Sequence, residues 1–101
     1  MEFIKSAGEK AVITLKGKLD YATAGNLMDE LRTLEGTGVR QIDFECADLE
    51  YISSAGIRAM LYSKQKIGRN APVDVCLHQA SKTIQDVFAA TGLKDYFTFV
   101  E

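Results

Sequence analysis

Two adjacent serines, Ser53 and Ser54, are the residues best placed to do chemistry, in the run Asp48-Leu49-Glu50-Tyr51-Ile52-Ser53-Ser54-Ala55-Gly56-Ile57-Arg58. The run joins the C-terminal end of a strand-like segment to the start of a helix-like one, where unpaired backbone N–H groups favour anions. Only one of the two serines can cap the helix, so the other hydroxyl is left to face solvent or a partner. Two uses stay open on residue type alone: an ordinary cap with a spare serine, or a hydroxyl kept for recognition.

Other chemistries find less support. A hydrolase triad would need Ser54, His78 (the only histidine) and an acid such as Asp20, but no G-x-S-x-G elbow surrounds the serine. Gly36-Thr37-Gly38 follows a helical pattern and precedes a strand, the reverse of a phosphate-loop context, and reads as a turn. Cys46, Cys76 and His78 lack the close spacing of a metal site, and the two cysteines read as reduced, buried thiols rather than a disulfide framework. From Tyr51 to Val73 there is no Asp or Glu, while Arg58, Lys64, Lys66 and Arg69 are all basic. That stretch is either an ordinary solvated face or a positive rim for an acidic partner.

The elements that must hold these residues follow from the hydrophobic period. A chain of 101 residues with 47% hydrophobic and 26% charged residues suits one globular domain spanning 1–101. A net charge of -2 argues against a general nucleic-acid binder. Apolar runs are too short to span a bilayer, and Glu2 and Lys5 interrupt any signal-peptide core, so a cytoplasmic location without membrane contact is expected. Phe3-Ile4 reads as a short strand before a turn at Gly8, and Ala11, Ile13 and Leu15 form one face of the next strand. Asp20 can cap a helix with Leu27, Met28, Leu31 and Leu34 inward, ended by Gly36. Ile42, Phe44 and Cys46 alternate with Gln41, Asp43 and Glu45, and Ser53 or Ser54 opens a helix carrying Ile57, Met60, Leu61 and Ile67. Pro72 opens a strand with Val73, Val75 and Leu77 on one side. Ser81 caps a third helix with Ile84, Val87 and Phe88 inward, Gly92 ends it, and Tyr96 to Val100 reads as a last strand. The expected fold is α/β: a small, mostly parallel mixed sheet with an antiparallel N-terminal edge strand and three to four helices mainly on one face.

Two motifs then carry a family resemblance. Gly17-Lys18-Leu19-Asp20-Tyr21-Ala22-Thr23-Ala24 resembles the Gly-x-Leu-Asp segment of STAS domains, and Leu49 to Arg58 resembles their strand-to-helix phosphorylation loop. The chain is similar over its whole length to the stand-alone anti-sigma factor antagonists of that family. The resemblance implies a regulatory protein that is not an enzyme and needs no cofactor or metal. Its unmodified form would bind an anti-sigma factor that is itself a serine kinase, a GHKL-type ATPase, and phosphorylation would release it. A phosphatase would reset the switch, and a homodimer stays open. Aligning Gly56 with the family glycine puts Ser54 on the acceptor, with Ser53 as the alternative and in the place of the usual acid. Asp20, Tyr21, Ser53, Ser54, Ala55, Gly56 and Arg58 would then face the partner. The alternative within the family is an unphosphorylated interaction subunit of a transporter or signalling assembly.

Overall fold

Each change of hydrophobic period becomes a change of element in a computed structural model that describes residues 4–6, 9–67 and 73–101. The elements are β1 (Ile4–Ser6), β2 (Lys10–Leu19), α1 (Tyr21–Arg32), β3 (Gln41–Ile52), α2 (Ser54–Lys66), β4 (Asp74–His78), α3 (Lys82–Ala90), a 3-10 turn (Lys94–Tyr96) and β5 (Thr98–Val100). The strand expected at Phe3-Ile4 meets β1 at Ile4, while Phe3, Gly8, Arg69 and Pro72 lie outside the described residues.

The strands lie in the order β1-β2-β3-β4-β5. β1 runs antiparallel to β2, and every later neighbour is parallel. Because β2 to β5 advance one position at a time in one direction, crossovers of a single hand place all three helices on the same face. Most of the predicted inward residues cover that face, with Met28, Leu61 and Val87 only partly buried against it. Ala11, Ile13, Leu15, Ile42, Phe44, Cys46, Val73, Val75 and Leu77 are all buried, together with Leu27, Leu31, Ile57, Met60, Ile84 and Phe88 from the helices.

Three details differ from the sequence expectation. Helix α1 stops at Arg32, not at Gly36, because the chain tightens into i to i+3 bonds (Thr33 to Glu30, Leu34 to Leu31, Glu35 to Arg32) while still burying Leu34. The last strand is shorter, since Lys94–Tyr96 forms the 3-10 turn first. The second sheet face is not simply polar and open. Asp43 is buried there, with its Oδ2 2.8 Å from Lys10 Nζ and its Oδ1 accepting from Gln41 Nε2 at 2.9 Å. Burial alone would raise the Asp43 pKa, but the hydrogen bonds from Lys10 and Gln41 win and hold it below the ordinary carboxylate value.

The three helix starts are capped as their sequences suggest, by Asp20, Ser53 and Ser81. Gly92 sits at φ 76° just past α3, where Gly92 N–H reaches Ala89 O and Leu93 N–H reaches Phe88 O. Only a left-handed residue closes that pair of bonds cheaply, which is why a glycine ends this helix.

Candidate functional site

The two resemblance motifs lie side by side because β2 and β3 are paired to their very ends. Lys18 sits opposite Tyr51, and Leu19 opposite Ile52. The register between them is not uniform. Relative to β2, β3 carries one extra residue between Glu45 and Asp48 and another between Leu49 and Tyr51. Such bulges break strict alternation and increase local twist. After Cys46, burial therefore returns at Leu49 and Ile52, one residue in three, and Tyr51 is turned out to 49% exposure. Unbroken alternation from Leu49 would have put Tyr51 in the core.

Ser53 takes the cap. Its Oγ accepts from Gly56 N–H at 3.2 Å, and the same hydroxyl donates to Leu19 O at 3.0 Å. The Ser53 N–H reaches that carbonyl too, at 2.9 Å. One residue thus satisfies an orphan donor of α2 and ties its start to the end of β2. Ser54, the first residue of α2, is exposed, and its hydroxyl makes no hydrogen bond to any described residue. The serines thus divide the labour: one is a structural pin, and the other makes no hydrogen bond among the described residues.

Gly56 is buried, and a Cβ there would lie 2.9 Å from Leu19 Cγ and Cδ2 and from Ile52 Cγ1. The glycine is required by close approach rather than by a left-handed backbone. Asp20 caps α1 in a reciprocal box: its Oδ1 accepts from Thr23 N–H at 3.0 Å, and its own N–H donates to Thr23 Oγ1 at 2.9 Å. The Thr23 backbone N–H is the main cause holding the Asp20 carboxyl below its ordinary pKa. Asp20 directly follows Leu19, whose carbonyl binds Ser53, so this carboxylate stands at the head of α1 beside the serine loop.

Between α1 and α2 lies a shallow groove of about 410 Å³, lined by Tyr21, Ala24, Gly25, Met28, Ala55 and Arg58. Tyr21 is 84% exposed at its edge. Of the expected partner-facing residues, the groove gathers Tyr21, Ala55 and Arg58, and Asp20, Ser53 and Ser54 stand at the two helix starts; Gly56 instead faces inward, because α2 packs closely on Leu19 and Ile52 there. Ala24, Gly25, Met28 and Tyr51 were not foreseen. The first three belong to a contact between helices that no local pattern reveals, and Tyr51 depends on the bulge. Arg58, Lys64 and Lys66 lie on α2, with no acid on the helix and none of the three in an ion pair among the described residues.

The other candidate chemistries are not assembled. His78 Nε2 lies 3.4 Å from Asp43 Oδ1 on the second sheet face, while Asp20 is engaged with Thr23. Cys46 is buried among the helix-facing residues, where desolvation pushes its thiol pKa up to about 12. Cys76 is only half-buried, correcting the expectation of two core thiols, because it alternates with Val75 and Leu77 onto the opposite face beside Asp43. Among the described residues no helix is long and apolar enough to cross a membrane.

Known proteins resemble this chain in sequence or in fold. An anti-sigma factor antagonist by name, BtrV of Bordetella bronchiseptica, is 28% identical over 86 residues, covering 85% of this chain and 73% of that one. The unphosphorylated form of the anti-sigma factor antagonist SpoIIAA shares the fold at a TM-score of 0.82 and 21% identity, over 97% of this chain and 86% of that chain. SpoIIAA of Bacillus in its phosphorylated form gives 0.70 and 22%, over 97% and 89%. An anti-sigma factor antagonist from Mycobacterium paratuberculosis gives 0.77 and 16%, over 96% and 81%. The profile of the STAS domain matches residues 2–101, and with the two motifs joined at the C-terminal ends of two neighbouring strands of the expected sheet, the chain belongs to the STAS domain family.

Proposed function

We propose that this protein is an anti-sigma factor antagonist whose Ser54 is the phosphoacceptor of a partner-switching pathway. The observation that carries the reading is the unequal use of the two serines. Phosphate on Ser53 would remove the donor to Leu19 O and crowd the acceptor of Gly56 N–H, so it would undo the start of α2. Phosphate on Ser54 disturbs no existing bond. The kinships with BtrV and SpoIIAA, the latter solved in both phosphorylation states, support the same reading.

In this reading the partner is an anti-sigma factor that is also a serine kinase. It docks on Ser54, the groove between α1 and α2, and the exposed rings of Tyr21 and Tyr51. Aromatic side chains of this kind supply much of the energy at interfaces. The kinase transfers the γ-phosphoryl group of ATP to Ser54 Oγ; the hydroxyl proton is lost and ADP leaves. This chain supplies the acceptor and the docking surface, and a separate phosphatase restores the hydroxyl.

Release follows from electrostatics rather than unfolding. A phosphoserine adds about -1.5 to -2 charge, which a helix N-terminus tolerates. Against a partner surface shaped for a neutral hydroxyl, the same group brings desolvation cost and repulsion from acids. Since about 1.4 kcal/mol is tenfold in affinity, a few kcal/mol suffices for release. The test is binding of the purified cognate kinase to three proteins. Wild type and Ser54→Ala should bind within a few-fold of each other, and Ser54→Asp at least about tenfold more weakly. Equal binding by all three would instead mark a constitutive interaction subunit.

A further inference from the structure

We propose that Arg58 is the counter-ion of a phosphate carried on Ser54, and that forming this pair draws the guanidinium out of the groove between α1 and α2. The inference rests on the reading of Ser54 as acceptor and adds how the modified state is held. Ser54 and Arg58 are four residues apart on α2, and both are exposed. Side chains at that spacing share one helix face, and each leans toward the helix N-terminus, so Arg58 is within reach of the turn that begins at Ser54. An anion N-terminal to a cation at this spacing is the favourable order. A guanidinium matches phosphate oxygens with two parallel donors, which a lysine does not.

The same molecule shows that a pair at this spacing closes. On α3, Lys82 Nζ reaches Asp86 Oδ2 across one turn at 3.1 Å. Arg58 has no such acid: α2 contains none, and among the described residues Arg58 makes no ion pair. It lines the groove instead, beside Tyr21 and Met28. A phosphate on Ser54 therefore changes two features of the docking surface, adding a dianion and redirecting the one charged side chain of the groove. The acids on flanking elements, Asp20 at the head of α1 and Glu50 near the end of β3, are constant in any comparison of Arg58 variants.

The test uses full-length protein with phosphoserine placed at position 54 during translation, so that no kinase is needed. Its second phosphate pKa is measured by 31P NMR at low salt in the Arg58 protein, in Arg58→Gln and in Arg58→Lys. The Arg58 protein should titrate about 0.15–0.35 of a pH unit below Arg58→Gln, with Arg58→Lys between them and the gap narrowing at high salt. Identical values for all three, with circular dichroism showing α2 intact, would overturn the pairing and leave Ser54 as acceptor untouched. A kinase that never modifies Ser54 would instead sink the acceptor reading, whatever the NMR shows.

Discussion

Helices α2 and α3 begin alike and end up with different potential. Each follows a parallel strand, and each is capped by a serine whose Oγ accepts the N–H three residues on at 3.2 Å, Ser53 from Gly56 and Ser81 from Ile84. Beyond that bond they diverge. Ser81 is followed by Lys82, whose charge is already matched by Asp86. Ser53 also donates to Leu19 O, and it is followed by an exposed serine, a buried glycine pressed against Leu19 and Ile52, and an arginine with no ion pair among the described residues. The start of α3 is a finished cap. The start of α2 is over-fastened at one serine and unfinished at the next, and the proposed regulatory role rests on that surplus of unsatisfied chemistry on a rigid base.

The largest effect should come from the scaffold common to both helix starts. Phe44 on β3 is fully buried opposite Leu77 of β4, so it anchors both strands that lead into these helices. Phe44→Ala should cost about 3–5 kcal/mol in denaturant unfolding and spare neither loop. Stability equal to wild type would mean that the helices do not cover this face.

Next comes Asp43, on the face away from the helices. Its lowered pKa means that its contribution is fully present above the unfolded value of about 3.9 and is lost as pH falls through the folded value. Asp43→Asn should cost about 1–3 kcal/mol at pH 7, with the gap from wild type closing below about pH 4. A gap that stays constant from pH 7 to pH 3 would show that the Lys10 pair does not depend on the charge.

The caps themselves separate more finely. Ser53→Ala should lose about 1–2 kcal/mol and Ser81→Ala about 1 kcal/mol, because only Ser53 holds a second element. Equal losses would remove the distinction between the two starts. Gly56→Ala should lose about 1 kcal/mol net, since the clash with Leu19 and Ile52 outweighs the gain in helix propensity.

Much of this was legible in the residues. The apolar faces at Ala11/Ile13/Leu15 and Ile42/Phe44/Cys46, and the caps at Asp20 and Ser81, depend on local spacing and local hydrogen bonds. The start of α2 was legible where a motif marks it, at the exposed Ser54 and the close-packed Gly56. The rest was not legible, because distant elements decide it. The path of β3 up to Tyr51 turns on two extra residues relative to β2, which no local pattern marks. Asp43 reads as a solvent-facing strand position until Lys10 and Gln41, opposite each other on β2 and β3, close over it. Which of Ser53 and Ser54 is free turns on the carbonyl of Leu19, 34 residues away along the chain.

The smallest stability effect belongs to the residue with the largest proposed role. Ser54→Ala should change stability by no more than about 0.5 kcal/mol, since its hydroxyl is exposed and unbonded. The direct test of that role is phosphosite mapping by mass spectrometry after incubation with the cognate kinase and ATP. One phosphate should appear on Ser54 of the wild type and none on Ser54→Ala. Phosphate on Ser53, or modification persisting undiminished in Ser54→Ala, would contradict the division of labour between the two serines.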